Sequence, residues 1–240
     1  MSGHSKWSQI KHKKGISDVK KGKIFSKLTR IITIAARQKG GDIETNSSLR
    51  MAAEKARSFN MPQENIERAI KKGTGEIEGV KFEEFLMEAY GPEGIALIIE
   101  GTTDNKNRTI SEIKFLLSEH NGKMAQSGSV LWLFERRGQI SLSRGQKTKE
   151  ETELAAIDAG AEDLNWSDEN NLEVYTKSEE LEKVKKNLEK NNFPPVESSL
   201  AWLPKNKIKI DNEKTKEQLE KIFEKLEEHD DVNEIYSNQE

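Results

Sequence analysis

Apolar positions recur at helical spacing over the first third of the chain and at strand spacing over most of the rest. Between residues 16 and 38, Phe25, Leu28, Ile32, Ala35 and Ala36 fall on one side at about 100° per residue, which predicts an amphipathic helix. Gly22 is its one breaker, and Gly40-Gly41 stops it. A second helix, capped by Asn46 or Ser47, turns Leu49, Ala52, Ala53, Ala56 and Phe59 inward. A third starts at Pro62 and turns Ile66, Ala69 and Ile70 inward, with Gly73 placed to cap its end. The Gly73-Thr74-Gly75 step that follows reads as a linker at a domain boundary.

Past residue 80 the period shortens. Strand-like runs occupy 82–90, 95–100, 129–135, 139–143, 172–175, 198–203 and 207–210, with weaker ones at 162–166 and 232–236. Helices are predicted over 106–119, 149–158, 179–189 and 214–228; Asp104 or Asn105 caps the first, and Asn121-Gly122 ends it. Residues 136–204 thus spell β-α-β-β-α-β, the ferredoxin-like order. The flanking elements (95–100, 106–119, 129–135, then 207–210, 214–228, 232–236) spell it again. The expected fold is α+β: an N-terminal three-helix domain followed by two ferredoxin-like α/β domains, the second inserted within the first, with 82–90 as an extra strand. The expected domains are 1–78, then 79–135 joined with 206–240, and the insert 136–205.

Composition narrows the function. Among 240 residues, 33% are apolar and none are cysteine. Disulfides, thiolate metal sites and thiol catalysis are therefore excluded. No run of ~18 apolar residues is available to span a membrane. The opening MSGHSKWSQIKHKK has charge without an apolar stretch, so no secretory leader and a cytoplasmic location are expected. The net charge of −3 hides a division. Residues 1–80 hold 17 Lys and Arg against 8 acids, and the remainder holds 22 against 34. The first 40 residues hold 11 cations and a single acid, Asp18. A basic module joined to an acidic remainder points to a polyanion partner.

The cations are patterned. Lys20, Lys23, Lys27, Arg30 and Arg37 occupy a helical stripe about 100° wide, opposite the apolar face, with no acid among them. Such a stripe can track a phosphate backbone. Ile34 lies within it and marks a surface that touches a partner. Ahead of the stripe, Lys6, Lys11, His12, Lys13 and Lys14 surround Trp7, which can stack on a base or dock on the protein's own core. This tail is expected to order on binding. His4 and His12 lack a third ligand and sit among cations, so no metal is expected. Gly15 to Gly22-Lys23 has the wrong spacing for a phosphate-binding loop. Asn105, Lys106 and Arg108, at a predicted strand-to-helix turn, are candidate phosphate or partner contacts, though a cap and turn explains them as well. The carboxylates Glu217, Glu220 and Glu224 alternate with Lys221 and Lys225 as on a solvated face. No nucleophile–base spacing appears, so neither catalysis nor a cofactor is expected. Val130, Trp132 and Phe134 place large residues on one face of a predicted strand without the RNA-recognition signature, and burial between domains is expected there.

Several blocks in order carry a resemblance: SGHSKWSQIKHKK (2–14), KGKIFSKLTRIITIAAR (21–37), NMPQENIERAIKKGTGE (60–76), YGPEGIALIIE (90–100), TTDNKNRT (102–109), GSVLWLFERRG (128–138), LPKNKIKI (203–210) and DDVNEIYSN (230–238). On these the chain resembles the YebC/PmpR family, which includes the mitochondrial translational activators of cytochrome oxidase. It departs mildly, with Glu93 where a glycine is common. The resemblance implies three domains, no cofactor and no catalysis. It also implies a regulator of gene expression, described in some members as a DNA-binding transcriptional regulator and in others as a translation factor on the ribosome, acting at proline-rich stalls. The expected partner is therefore DNA or ribosomal RNA, with basic ribosomal proteins as partners of the acidic domains. Residues 81–135 and 206–240 hold 11 cations against 20 acids, which repels bare duplex.

Overall fold

Three helices open the part of the chain that the structure, a computed structural model, describes: backbone from Asp18, side chains from Lys21, both to Glu240. Helix α1 (Asp18–Lys39), α2 (Ser47–Ser58) and α3 (Gln63–Thr74) close around Leu28, Ile32, Ala36, Leu49, Ala53, Ala56 and Ile66. Asn46 caps α2 by accepting from the Leu49 N–H at 3.0 Å. Its amide also donates to the carbonyls of Ala35 and Gly40, both at 2.8 Å, and so ties the α1 exit to the α2 start. The end of α3 differs from expectation. Gly73 lies inside the helix, where a Cβ would stand 2.4 Å from the Thr33 carbonyl oxygen, so it is a point of close approach to α1. Gly75, at φ +83°, is the left-handed cap.

An antiparallel hairpin follows: β1 (Glu83–Tyr90) pairs with β2 (Ala96–Thr103) from Glu83↔Thr103 to Tyr90↔Ala96. Helix α4 (Lys106–Glu119), the short β3 (Lys123–Met124), α7 (Glu213–Glu228) and β8 (Val232–Ser237) complete a sheet of order β3-β1-β2-β8. One face carries Phe85, Met87, Ala89, Leu97 and Ile99 against Ile113, Leu117, Leu219, Ile222 and Leu226. On the other face Ile98 and Tyr236 are also buried, and α1 lies against β2.

The spatial order is ferredoxin-like, but the strand identities differ from expectation. The run 82–90 takes a central place, not an extra one. The run 129–135 is a strand only at its last two residues, Phe134 and Glu135: Leu131–Leu133 forms a 3₁₀ turn. Its backbone N–H groups are taken by the Glu88 carboxylate, which accepts from Gly128, Val130 and Leu131 at 2.5, 2.6 and 2.7 Å. Trp132 is consequently 64% exposed while Val130 and Phe134 are buried. The run 207–210 contributes only a bridge from Ile208 to Gln239.

Residues Glu135–Leu203 form a second compact unit, apart from the unit made by residues up to Phe134 with Pro204–Glu240. Its elements are β4 (Phe134–Ser143), α5 (Lys149–Ala159), β5 (Asp163–Trp166), β6 (Asn171–Lys177), α6 (Leu181–Lys190) and β7 (Glu197–Pro204), with sheet order β5-β6-β4-β7. This is the ferredoxin-like order. Ile140, Leu142, Leu172 and Val174 alternate along β4 and β6 and are buried. A capping box of Thr148 and Glu151 starts α5, and Gly160 at φ +107° ends it.

Candidate nucleic-acid interface

The middle of the cationic stripe of α1 is covered: Lys27 is buried and Arg30 half-buried, while Lys23 and Arg37 toward its ends are exposed. The Lys27 ammonium donates to the Glu227 carbonyl at 2.7 Å. One turn earlier, Lys23 donates to the Glu228 carbonyl at 3.2 Å. Both acceptors belong to the last turn of α7, whose terminal carbonyls lack helical partners and carry the negative end of the helix dipole. Arg30 donates to Asp231 Oδ1 at 2.5 Å and to the Asp230 carbonyl at 3.0 Å, with its guanidinium over the Phe82 ring at 5.3 Å. Arg37 donates to the Phe82 carbonyl. Ile34, in the middle of the stripe, is 2% exposed. A second bridge, Lys55 Nζ to Glu234 Oε1 at 2.6 Å, joins α2 to β8. The helical lobe is thus clasped to the acidic lobe of the same compact unit. Lys6, Trp7, Lys11, His12, Lys13 and Lys14 lie outside the described residues, as does the side chain of Lys20.

Asp231 is the hub of this clasp and is 2% exposed. Its Oδ2 accepts from Arg108 at 2.7 Å, from Thr109 at 2.7 Å and from Thr103 at 3.0 Å. Burial alone would raise its pKa, but the hydrogen bonds from Thr109, Arg108, Thr103 and Arg30 outweigh it and hold the carboxyl down at about 2. Lys27 shows the opposite balance. Burial pushes its ammonium down to about 8 against the attraction of Asp230, Glu227 and Glu234.

The polar turn 104–108 feeds the same hub. Asn105 caps α4, accepting from the Arg108 N–H at 3.2 Å, and Arg108 pairs with Asp104 at 2.9 Å as well as with Asp231. Lys106 is exposed. A phosphate at this helix start would compete with Asn105 for the same N–H group.

Glu112, His229 and Asp231 offer the one trio of metal-ligand type among the described residues, but their donor atoms are already committed. Both Asp231 oxygens serve guanidinium and hydroxyl groups. His229 Nδ1 accepts from the Asp231 N–H at 3.2 Å, and its Nε2 meets Glu112 at 3.0 Å. A cation here would have to displace two arginines, so the chemistry does not fit a metal.

This geometry has counterparts. The profile of the TACO1/YebC N-terminal domain matches residues 5–76, and that of the TACO1/YebC second and third domains matches residues 82–239. The chain belongs to the TACO1/YebC family. A relative from Halothermothrix orenii is 48% identical over 99% of this chain and 94% of its own length, and bears the name "Probable transcriptional regulatory protein". One from Thermotoga maritima with the same name is 50% identical over 99% and 93%. The crystal structure of a conserved hypothetical protein from Aquifex aeolicus is similar, with TM-score 0.89, 45% identity, and coverage of 98% of this chain and 96% of that one.

Sequence reasoning found the stripe and missed what it touches. Asp231, Glu234 and the last carbonyls of α7 lie some two hundred positions away, and nothing local marks them. The one legible hint was Ile34, an apolar residue that a solvated cationic face would not carry.

Proposed function

We propose that this chain is a nucleic-acid-binding regulator of gene expression that works by binding, without catalysis. One observation carries the reading: over 99% of its length it aligns with relatives named probable transcriptional regulatory proteins. The charge division supports it, since the basic excess lies in residues 1–80, within which the N-terminal family match falls. In this reading the tail makes the first phosphate contacts through Lys6, Lys11, His12, Lys13 and Lys14, with Trp7 stacking and Lys20 continuing the path onto α1.

Because Lys23, Lys27 and Arg30 hold the two lobes together, reversing their charge would damage the fold and test little. The tail is the better target. Lys11→Glu combined with Lys13→Glu and Lys14→Glu is expected to weaken binding to mixed-sequence duplex and to lower the slope of log affinity against log salt by about 2–3. An unchanged affinity and slope would sink the reading. The acidic lobe, with 11 cations against 20 acids over 81–135 and 206–240, favours a second reading, a translation factor held among basic ribosomal proteins and ribosomal RNA. Sedimentation with intact ribosomes in the presence of excess genomic duplex separates the two. Co-sedimentation makes the target ribosomal RNA; retention on the duplex makes it DNA.

A further inference from the structure

We propose that the clasp between α1 and the acidic lobe is an autoinhibitory contact: the lobe covers the middle of the cationic stripe, and a nucleic-acid phosphate backbone that reaches the exposed Lys23 and Arg37 must displace it to engage Lys27 and Arg30. The proposal rests on the nucleic-acid reading above and adds its regulation. Three observations carry it. The groups seated on Lys27 and Arg30 are the Asp231 carboxylate, the Glu227 carbonyl at the end of α7 and the Asp230 carbonyl just beyond it, which present to cations the kind of negative oxygen that a phosphate presents. Next, the described part of the helical lobe continues into the rest of the chain only through residues 75–82, an irregular segment that is exposed up to Lys81, so the lobes can part without unthreading. Last, the seam is imperfect. The Thr102 hydroxyl is buried beside it without a partner among the described residues, and Lys27 is a charge buried at a cost. Opening would relieve both, while re-exposing Ile34 on α1 and Ile98 on β2, both buried, opposes it in the absence of ligand.

If only the open fraction binds, affinity falls by that fraction, so locking and loosening the clasp must move affinity in opposite directions. The chain has no cysteine, which makes a site-specific lock available. Lys55→Cys and Glu234→Cys replace the two ends of a 2.6 Å bridge and can be joined by a short bis-maleimide, leaving the tail untouched. Binding to a short mixed-sequence duplex at fixed salt is the readout. The joined protein is expected to bind at least ~10-fold more weakly than the same double variant left unjoined. Glu234→Gln, which only loosens the clasp, is expected to bind a few-fold more tightly than the wild type. Equal affinity of joined and unjoined forms would overturn the autoinhibitory role while leaving the nucleic-acid reading intact. Absence of binding by every form, wild type included, would overturn that reading and this proposal with it.

Discussion

Asp231 shows how a single buried carboxylate can organise distant parts of a chain. It gathers Arg30 from α1, Thr103 from β2, and Arg108 and Thr109 from α4, and each donor favours its charged form. Its folded pKa of about 2 lies below the unfolded 3.8, so its stabilisation is complete above pH 3.8 and is lost as pH falls through 2. Lys27 has its folded pKa lowered to about 8 from 10.5, so its burial penalty is full below pH 8 and is relieved as pH rises toward 10.5. A pH profile of unfolding free energy should therefore show an acid arm of about 2 kcal/mol from Asp231 and a rise at alkaline pH from Lys27. Asp231→Asn should remove the first arm, and Lys27→Met the second. A variant profile that parallels the wild type would show that the group is not the source. Glu93 is a smaller case. It sits at φ +54°, where a side chain costs energy, yet its carboxylate accepts from Thr215 at 2.6 Å and so ties the β1–β2 turn to α7.

Among the elements, the helices were the most legible. Their 3.6-residue period, the caps at Asn46 and Asn105 and the breaker at Gly40 are local properties, and the bounds of α4 agree with those expected from them. The segment 129–135 was misread because its alternation of large apolar residues looks like a strand. What decided it was Glu88, about forty residues upstream, whose carboxylate takes three N–H groups that a ladder would otherwise use. Burial would raise the Glu88 pKa, but those three N–H groups hold it below its ordinary value. Glu88→Gln should cost on the order of 2 kcal/mol and speed amide exchange at Gly128, Val130 and Leu131. Unaltered exchange at those three amides would mean that the turn holds itself. Gly73 belongs with Glu88 as a residue whose role lies in tertiary contact: the sequence shows a helix-ending glycine, the structure a close approach between α3 and α1.

For the molecule as a whole, the chain leaves the first unit after Phe134 and rejoins it at Pro204. The Lys205 N–H donates to the Leu133 carbonyl at 2.9 Å, which brings the chain entering Glu135–Leu203 beside the chain leaving it. Replacing that unit with a short glycine-rich turn should leave the remaining unit folded, with one cooperative unfolding transition and dispersed NMR signals. A product with helical content but collapsed dispersion would show that the insert completes the other fold. Charge division, helical periods and the order of elements within the insert were determined by the sequence alone, because each depends on residues close together in the chain. Which strand fills the third place of the outer sheet, and whether the middle of the cationic stripe of α1 meets solvent or Asp231, only the tertiary structure decided. Both are set by free-energy differences between groups far apart in sequence. A guanidinium finds its carboxylate two hundred residues on, and no local pattern records the distance.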